Sequence, residues 1–279
     1  MPKLIGIIGC GTIGTELAIA MDNGRVKNVS VIVLFDKVKD AAESLRVKLQ
    51  NHNPSTYYNF EEFVSSSSFN NTDIIIEAAS QDALQRQGKT ILQNGKSLMI
   101  MSVGALADSQ FLSELVETAA KNLAYIYIPT GAIAGIDAIR SVRTLLDSVI
   151  LTTTKGPRAL ADAPFFDDAR IDVNKIIDRT LIYEGTANDA VKKFPSNINV
   201  AAVLSLAGIG IEKTIVKIII DPGAITNRHE IVATGKFGEI KISVNNIPSM
   251  TNPKTSFLAI LSAIECISSV CNGVVRIGT

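Results

Sequence analysis

The chain has no tryptophan, and its 279 residues include only two histidines and three cysteines. Whatever acid–base chemistry runs through imidazole therefore has two candidates at most, His52 and His229. Cys10, Cys266 and Cys271 form an odd, sparse set with no repeated pair spacing. That excludes a disulfide framework and a zinc site, so no metal is expected, and it fits a reducing cytoplasm. A charge of one sign is missing too: 27 Lys and Arg stand against 27 Asp and Glu, for a net charge of zero. No broad basic face for nucleic acid or an anionic membrane is expected. No uncharged apolar run reaches the ~18 residues of a membrane span. The opening Met1-Pro2-Lys3-Leu4 reaches Gly6 and Gly9 within one short apolar run, too soon for the apolar core of a secretory leader.

What is present reads as globular, with 47% hydrophobic and 19% charged residues. In the first half, short apolar runs predict strands over 3–9, 29–35, 73–77, 97–102 and 124–128. Helical patterns between them predict helices over 13–23, 38–49, 81–93 and 109–121. Apolar, non-alternating strands separated by helices are the mark of a parallel sheet covered on both faces. After Pro129 the strands come closer together, over 149–154, 180–184, 214–221, 230–234 and 239–244, with a helix over 197–207. This predicts a second, mixed or antiparallel sheet. An apolar helix over 256–270 reads as buried, packed back against the first domain. Ser65-Ser66-Ser67-Ser68 reads as a loop. The fold class is α/β: a parallel-sheet domain over 1–129, completed by 251–279, plus a smaller α/β domain over 130–250.

Gly9-Cys10-Gly11-Thr12-Ile13-Gly14 is a G-x-G-x-x-G run, placed directly after a strand and opening a helix. Gly9 permits the tight turn, Gly11 lets backbone approach a pyrophosphate, and Gly14 allows close helix–sheet packing. Thr12 and Ile13 open the helix, whose first N–H groups suit phosphate oxygens. Asp36 ends the second strand, 22 positions after Gly14. A carboxylate there accepts hydrogen bonds from ribose hydroxyls and repels a 2′-phosphate, which favours NAD over NADP; Lys37 beside it keeps NADP open. Ala78-Ala79-Ser80 and Ser102-Val103-Gly104-Ala105 are small residues at strand ends. They either leave room for the cofactor or are ordinary turns, and Ala78 and Ala79 are counted as cofactor candidates.

Three further segments stand out: Pro129-Thr130-Gly131-Ala132-Ile133-Ala134-Gly135-Ile136-Asp137, Phe194-Pro195-Ser196-Asn197-Ile198-Asn199-Val200-Ala201-Ala202 and Asn227-Arg228-His229-Glu230-Ile231. With Met250-Thr251-Asn252-Pro253-Lys254-Thr255-Ser256 and the glycine loop, these resemble the L-aspartate dehydrogenase family over nearly the whole chain. The resemblance implies that 1–129 with 251–279 is a Rossmann dinucleotide-binding domain, that 130–250 is a smaller α/β domain for substrate, catalysis and dimerisation, and that the active site lies in the cleft between them. It implies NAD(P)-dependent oxidation of L-aspartate to iminosuccinate, which hydrolyses to oxaloacetate and ammonia or passes to a quinolinate-forming enzyme. It implies that His229 is the catalytic histidine, that Ala132 and Asn197 or Asn199 contact the cofactor, and that the protein is a homodimer.

Read from the residues alone, His52 lies among turn formers and looks like a solvated loop histidine. His229 sits in a polar cluster at a strand start. If the segment is extended, Asn227, His229 and Ile231 share one face, and Arg228 and Glu230 pair on the other. The positive groups that would meet a dicarboxylate stay open between Lys254 and the helix start near Asn197, which could equally be a helix cap. A reductase or dehydrogenase acting on another dicarboxylic or cyclic imine substrate, and a silent dinucleotide sensor, are the alternatives.

Overall fold

The computed structural model describes residues 2–169, 171–195, 198–249, 252 and 255–272. The chain divides into two compact units. One holds the residues up to Pro129 together with the last helix from Ile260 onward, and the other spans Thr130–Ala259.

The first unit alternates strands and helices: β1 (Lys3–Ile8), α1 (Thr12–Asp22), β2 (Val29–Phe35), α2 (Lys39–Lys48), β3 (Ser55–Tyr57), α3 (Phe60–Ser65), α4 (Ser67–Asn70), β4 (Ile74–Glu77), α5 (Gln81–Gln93), β5 (Ser97–Ile100), α6 (Ser109–Lys121) and β6 (Ile126–Tyr127). The sheet order is β3-β2-β1-β4-β5-β6, and every pair is parallel. Strand order reverses between β1 and β4, so the carboxyl ends of these two strands flank the crevice where such sheets bind ligands. The central strands are apolar on both faces because helices cover both: Ile5, Ile7, Ile8, Ile75 and Ile76 are fully buried.

The tetraserine run is not a loop. Ser66 ends α3 and caps α4, its hydroxyl accepting the Phe69 N–H at 3.1 Å. The two short helices drive Phe63 and Phe69 into the core with ring centroids 5.0 Å apart. Burial of two phenylalanines outweighs the poor helix propensity of the serines between them.

The second unit contains α7 (Ile136–Val142), β7 (Leu146–Lys155), α8 (Pro164–Ala169), β8 (Thr180–Thr186), α9 (Ala187–Lys193), α10 (Asn199–Ala207), β9 (Ile215–Ile220), β10 (Asn227–Gly235) and β11 (Gly238–Asn246). Its sheet runs β11-β10-β7-β9-β8. Only β7 and β9 pair in parallel, so the sheet is mixed. β10 starts at Asn227, three residues before the predicted start, because both of its edges are paired, to β7 and to β11. α10 starts at Asn199 with Ile198 as its cap residue, two residues later than predicted.

The last helix, α11 (Phe257–Asn272), places Ile260, Ala263, Ile264 and Ile267 in the core of the first unit, together with Ile5, Leu17 and Met21. That is the 0, 3, 4, 7 spacing of one helix face. Each isoleucine so buried contributes roughly 1.5–3 kcal/mol.

Candidate active site

The glycine loop leaves β1 through Gly9, whose N–H donates to the Phe35 carbonyl at 2.9 Å and whose φ is +92°. A β-carbon on Gly9 would lie 2.6 Å from the Ala78 backbone, and one on Gly14 would lie 1.9 Å from the Gly9 carbonyl oxygen. These two glycines close the strand–helix turn. Gly11 differs, since nothing lies within 4 Å of a β-carbon built there. It is the cap residue of α1 and offers no side-chain acceptor, so the first N–H groups at Thr12, Ile13 and Gly14 face outward for a ligand's oxygens.

Asp36 holds the other side of this cradle. Its carboxylate accepts the Cys10 N–H at 2.8 Å and the Val38 N–H at 2.9 Å, one on each oxygen. Each oxygen keeps lone-pair capacity for a hydroxyl donor. An open backbone cradle at an uncapped helix start, beside a fixed carboxylate, fits a dinucleotide with a free ribose diol. Cys10 itself is buried and its thiol is pushed up to about 12, by burial first and Asp36 second, so it is an inert filler.

Ala78 and Ala79 follow β4 at the same sheet edge. Glu77, the last residue of β4, precedes them and belongs to no motif in the sequence. It is buried, and its carboxylate accepts the Ala79 N–H at 2.9 Å, the Ser102 N–H at 3.0 Å and the Ser102 hydroxyl at 2.8 Å. Burial pushes its pKa up, against the pull of these donors. Glu77 thereby ties the loops after β4 and β5 together. A charged residue ending the run Ile74-Ile75-Ile76 was the available signal.

In the second unit, strand register assembles a polar cluster at one end of a buried sheet face. Val149, Leu151 and Thr153 of β7 stand opposite Ala233, Ile231 and His229 of β10. These side chains are all buried, and the face turns from apolar to polar along its length. Thr153 Oγ1 lies 3.0 Å from His229 Nδ1. Lys155 continues the Thr153 face, and Asn227 continues that of His229; both are buried. On β11, Asn246 stands opposite Asn227 and donates its amide N–H to the Ala132 carbonyl at 2.8 Å. The 131–135 loop, with Ala132 buried, is thus tied to the polar end of the sheet. Burial and then the Lys155 charge pull His229 down to about 3, so its imidazole is neutral. Burial lowers Lys155 to about 8.

Arg228 lies on the other face of β10 and pairs with Glu230 at 2.7 Å, as the alternation predicts. Asn199 is the exposed first residue of α10, whereas Asn197 and Lys254 lie outside the described residues. His52 is not a solvated loop histidine. Its side chain is 15% exposed and packs against Asp22, which accepts the Gln50, Asn51 and His52 N–H groups. Among the described residues no helix is long and apolar enough to cross a membrane, and no three His, Cys, Asp or Glu side chains cluster to hold a metal ion.

Residues 9–129 match the family model described as homoserine dehydrogenase, NAD binding domain, and residues 137–270 match that described as aspartate dehydrogenase, C-terminal. The chain is 45% identical over 277 residues to the L-aspartate dehydrogenase of Nitrosopumilus maritimus, covering 99% of this chain and 100% of the relative. The chain belongs to the L-aspartate dehydrogenase family. The family member from Methanosarcina mazei is 43% identical over 276 residues, covering 99% of both chains. Among solved structures, the aspartate dehydrogenase of Thermotoga maritima superposes with a TM-score of 0.73 at 22% identity and full coverage of both chains. The myo-inositol dehydrogenase of Lactobacillus casei, solved with NAD(H) and myo-inositol, shares the fold at TM-score 0.58 and 12% identity, covering 100% of this chain and 89% of its own. The protein is thus an NAD(P)-binding oxidoreductase by family, and the aspartate dehydrogenase C-terminal match contains Thr153, Lys155, Asn227 and His229.

Proposed function

We propose that this protein oxidises L-aspartate to iminosuccinate with NAD or NADP, NAD being favoured by Asp36, and so feeds pyridine-nucleotide synthesis. Full-length likeness to relatives named L-aspartate dehydrogenase supports the substrate. The observation that carries the chemistry is the buried Thr153–His229 pair. In this reading residues 1–129, with the C-terminal segment 251–279, bind the cofactor through Gly9, Gly11, Thr12, Ile13, Gly14, Asp36, Ala78 and Ala79. Residues 130–250 hold the substrate, and Ala132 with Asn197 or Asn199 contacts the nicotinamide end.

The bound dinucleotide supplies the two-electron acceptor for the substrate Cα–H. Conversion of the amine to an imine also releases a proton from nitrogen, and His229 takes it. With Nδ1–H donated to Thr153 Oγ1, Nε2 keeps its lone pair for that proton or for water attacking the imine. An anionic substrate beside His229 raises its proton affinity from the low value of the empty site. Burial excludes bulk water from the pair and fixes the ring.

The test is the rate of nicotinamide reduction with L-aspartate and each cofactor. The wild-type protein turns over, and His229→Ala lowers kcat roughly 10²–10⁴-fold while NAD affinity is retained. Equal turnover in the variant removes His229 from the role. No turnover of L-aspartate, with NAD still bound, favours another imine substrate or a sensor.

We also place the protein in the cytoplasm as a homodimer that hands iminosuccinate to a quinolinate-forming enzyme. Partly exposed Ile150, Val232, Ile215 and Ile219 on the outer face of the second sheet support self-association. Sedimentation at two concentrations checks the dimer.

A further inference from the structure

A dicarboxylic amino acid brings two negative charges to a chain with no net charge, so the compensating cations must be local. The polar end of the second sheet contains one. Lys155 lies two residues beyond Thr153 on the same face of β7, about 7 Å further along the strand. Arg228 stands opposite Thr154, so one more step along the register sets Asn227 beside Lys155. Lys155 is 6% exposed and Asn227 is 4% exposed. The Asn227 amide nitrogen is buried without a hydrogen-bond partner. The Asn227 amide N–H, left unsatisfied in a buried place, destabilises the fold, and it and the Lys155 ammonium beside it are both donors of the kind a carboxylate accepts. Asn227 also lines a cleft of about 900 Å³, whose other walls include Gly156, Pro157, Pro222, Ile225 and Pro248. Lys155 stands close enough to His229 for its charge to lower the affinity of the imidazole for a proton.

We propose that Lys155, assisted by the Asn227 amide, binds one carboxylate of the substrate and sets the preference for dicarboxylic over monocarboxylic amino acids. The inference rests on the reading of the site as an amino-acid dehydrogenase centre. The partner Lys155 recognises is the side-chain carboxylate, the group a monocarboxylic amino acid lacks. The paired groups Arg228 and Glu230 face the other side of the sheet and do not take part.

The test uses the whole protein saturated with NAD, the Lys155→Met variant and succinate as a non-reacting dicarboxylate probe. Met matches the length of the lysine stem, and removal of a buried charge in favour of an apolar side chain is commonly tolerated by a fold. Calorimetry should show succinate affinity falling roughly 10–100-fold in the variant, with NAD affinity unchanged. The KM for L-aspartate should rise by a similar factor, the rate with L-2-aminobutyrate should change little, and Lys155→Arg should recover part of the loss. Succinate bound equally well by the variant overturns the proposal. So does a fall in kcat with KM and succinate affinity unchanged, which would make Lys155 a proton carrier. Failure of the wild-type protein to bind succinate also overturns it. Lys155-dependent succinate binding without turnover of L-aspartate keeps the anion site and refutes the aspartate reading instead.

Discussion

Gly11 and Gly14 lie three positions apart in one loop, yet the geometry assigns them opposite failures. A β-carbon on Gly14 would sit 1.9 Å from the Gly9 carbonyl oxygen and 3.1 Å from its carbon. Both obstacles are backbone, and Gly9 is itself held by its bond to Phe35, so no side-chain rotation relieves the clash. Overpacking of this kind costs about 1–3 kcal/mol or more. For a unit of this size that lowers Tm by roughly 2–12 °C, and α1 must lift from the sheet. Gly11 has φ −74° and ψ −161°, which alanine adopts without strain, and nothing lies within 4 Å of the added carbon. Gly11→Ala should therefore leave Tm unchanged or raise it slightly, by about 0.4–1 kcal/mol of unfolded-state entropy. Its methyl group instead projects into the cradle and blocks the approach of a phosphate. Loss of one or two charge-assisted hydrogen bonds, about 1.5–3 kcal/mol each, weakens NAD at least ~10-fold. Thermal melts by circular dichroism and NAD titration by calorimetry separate the two. If Gly14→Ala melts like the wild type, or Gly11→Ala binds NAD normally, the assignment of roles within the loop is wrong.

Thr153→Val keeps the shape of the side chain but leaves His229 Nδ1 without its partner. Stability should fall by about 1–3 kcal/mol, and kcat should fall about 10-fold with KM nearly unchanged; Thr153→Ser should restore the rate. Asp22 accepts three backbone N–H bonds between 2.7 and 2.9 Å, and these help to hold its pKa below the ordinary value against the opposing effect of burial. Its stabilisation is therefore complete above the unfolded pKa of ~3.9 and is lost as the pH falls below that through the lower folded value. Asp22→Asn should cost about 1–3 kcal/mol at neutral pH and flatten this part of the acid-unfolding profile. A variant with the same acid limb as the wild type would show that another group governs it.

The first unit was legible because its strands are apolar on both faces and its helices carry a 3.6-residue period. The predicted ranges for β2, α5 and α6 coincide with the observed ones. The glycine loop was legible because its context, strand before and helix after, could be read alongside it. β3, α3 and α4 were not, because three residues of strand or four to six of helix carry no measurable period, and Phe63 and Phe69 declare themselves only when packed. The start of β10 was missed because Asn227, Arg228 and His229 have poor strand propensity, and pairing on both edges overrides it. Lys155 was passed over for a similar reason: a lysine after three threonines reads as a solvated strand end. The alternation Val149, Leu151, Thr153, Lys155 contained the information, but only the contact of Thr153 with His229 makes the face chemically meaningful.

β10 turns back into β11 through Gly235-Lys236-Phe237-Gly238, with Gly235 paired to Gly238. A β-carbon on Gly235 would lie 1.9 Å from the Leu145 carbonyl oxygen, and the register with β7 shifts at this point. This turn is six residues from His229, roughly 20 Å along the strand. Together with the pairing to β7, it holds the parity of residues that meets the interior. A slip of one residue would present Arg228 and Glu230 to the core and expel His229, Asn227 and Ile231. A salt-bridged pair would then stand where the fold now holds a neutral imidazole. The hairpin and β7 therefore work together as a counting device: they keep His229 rather than Arg228 on the buried face, and a slip would change which group lies inside while leaving every residue of the motif in the chain.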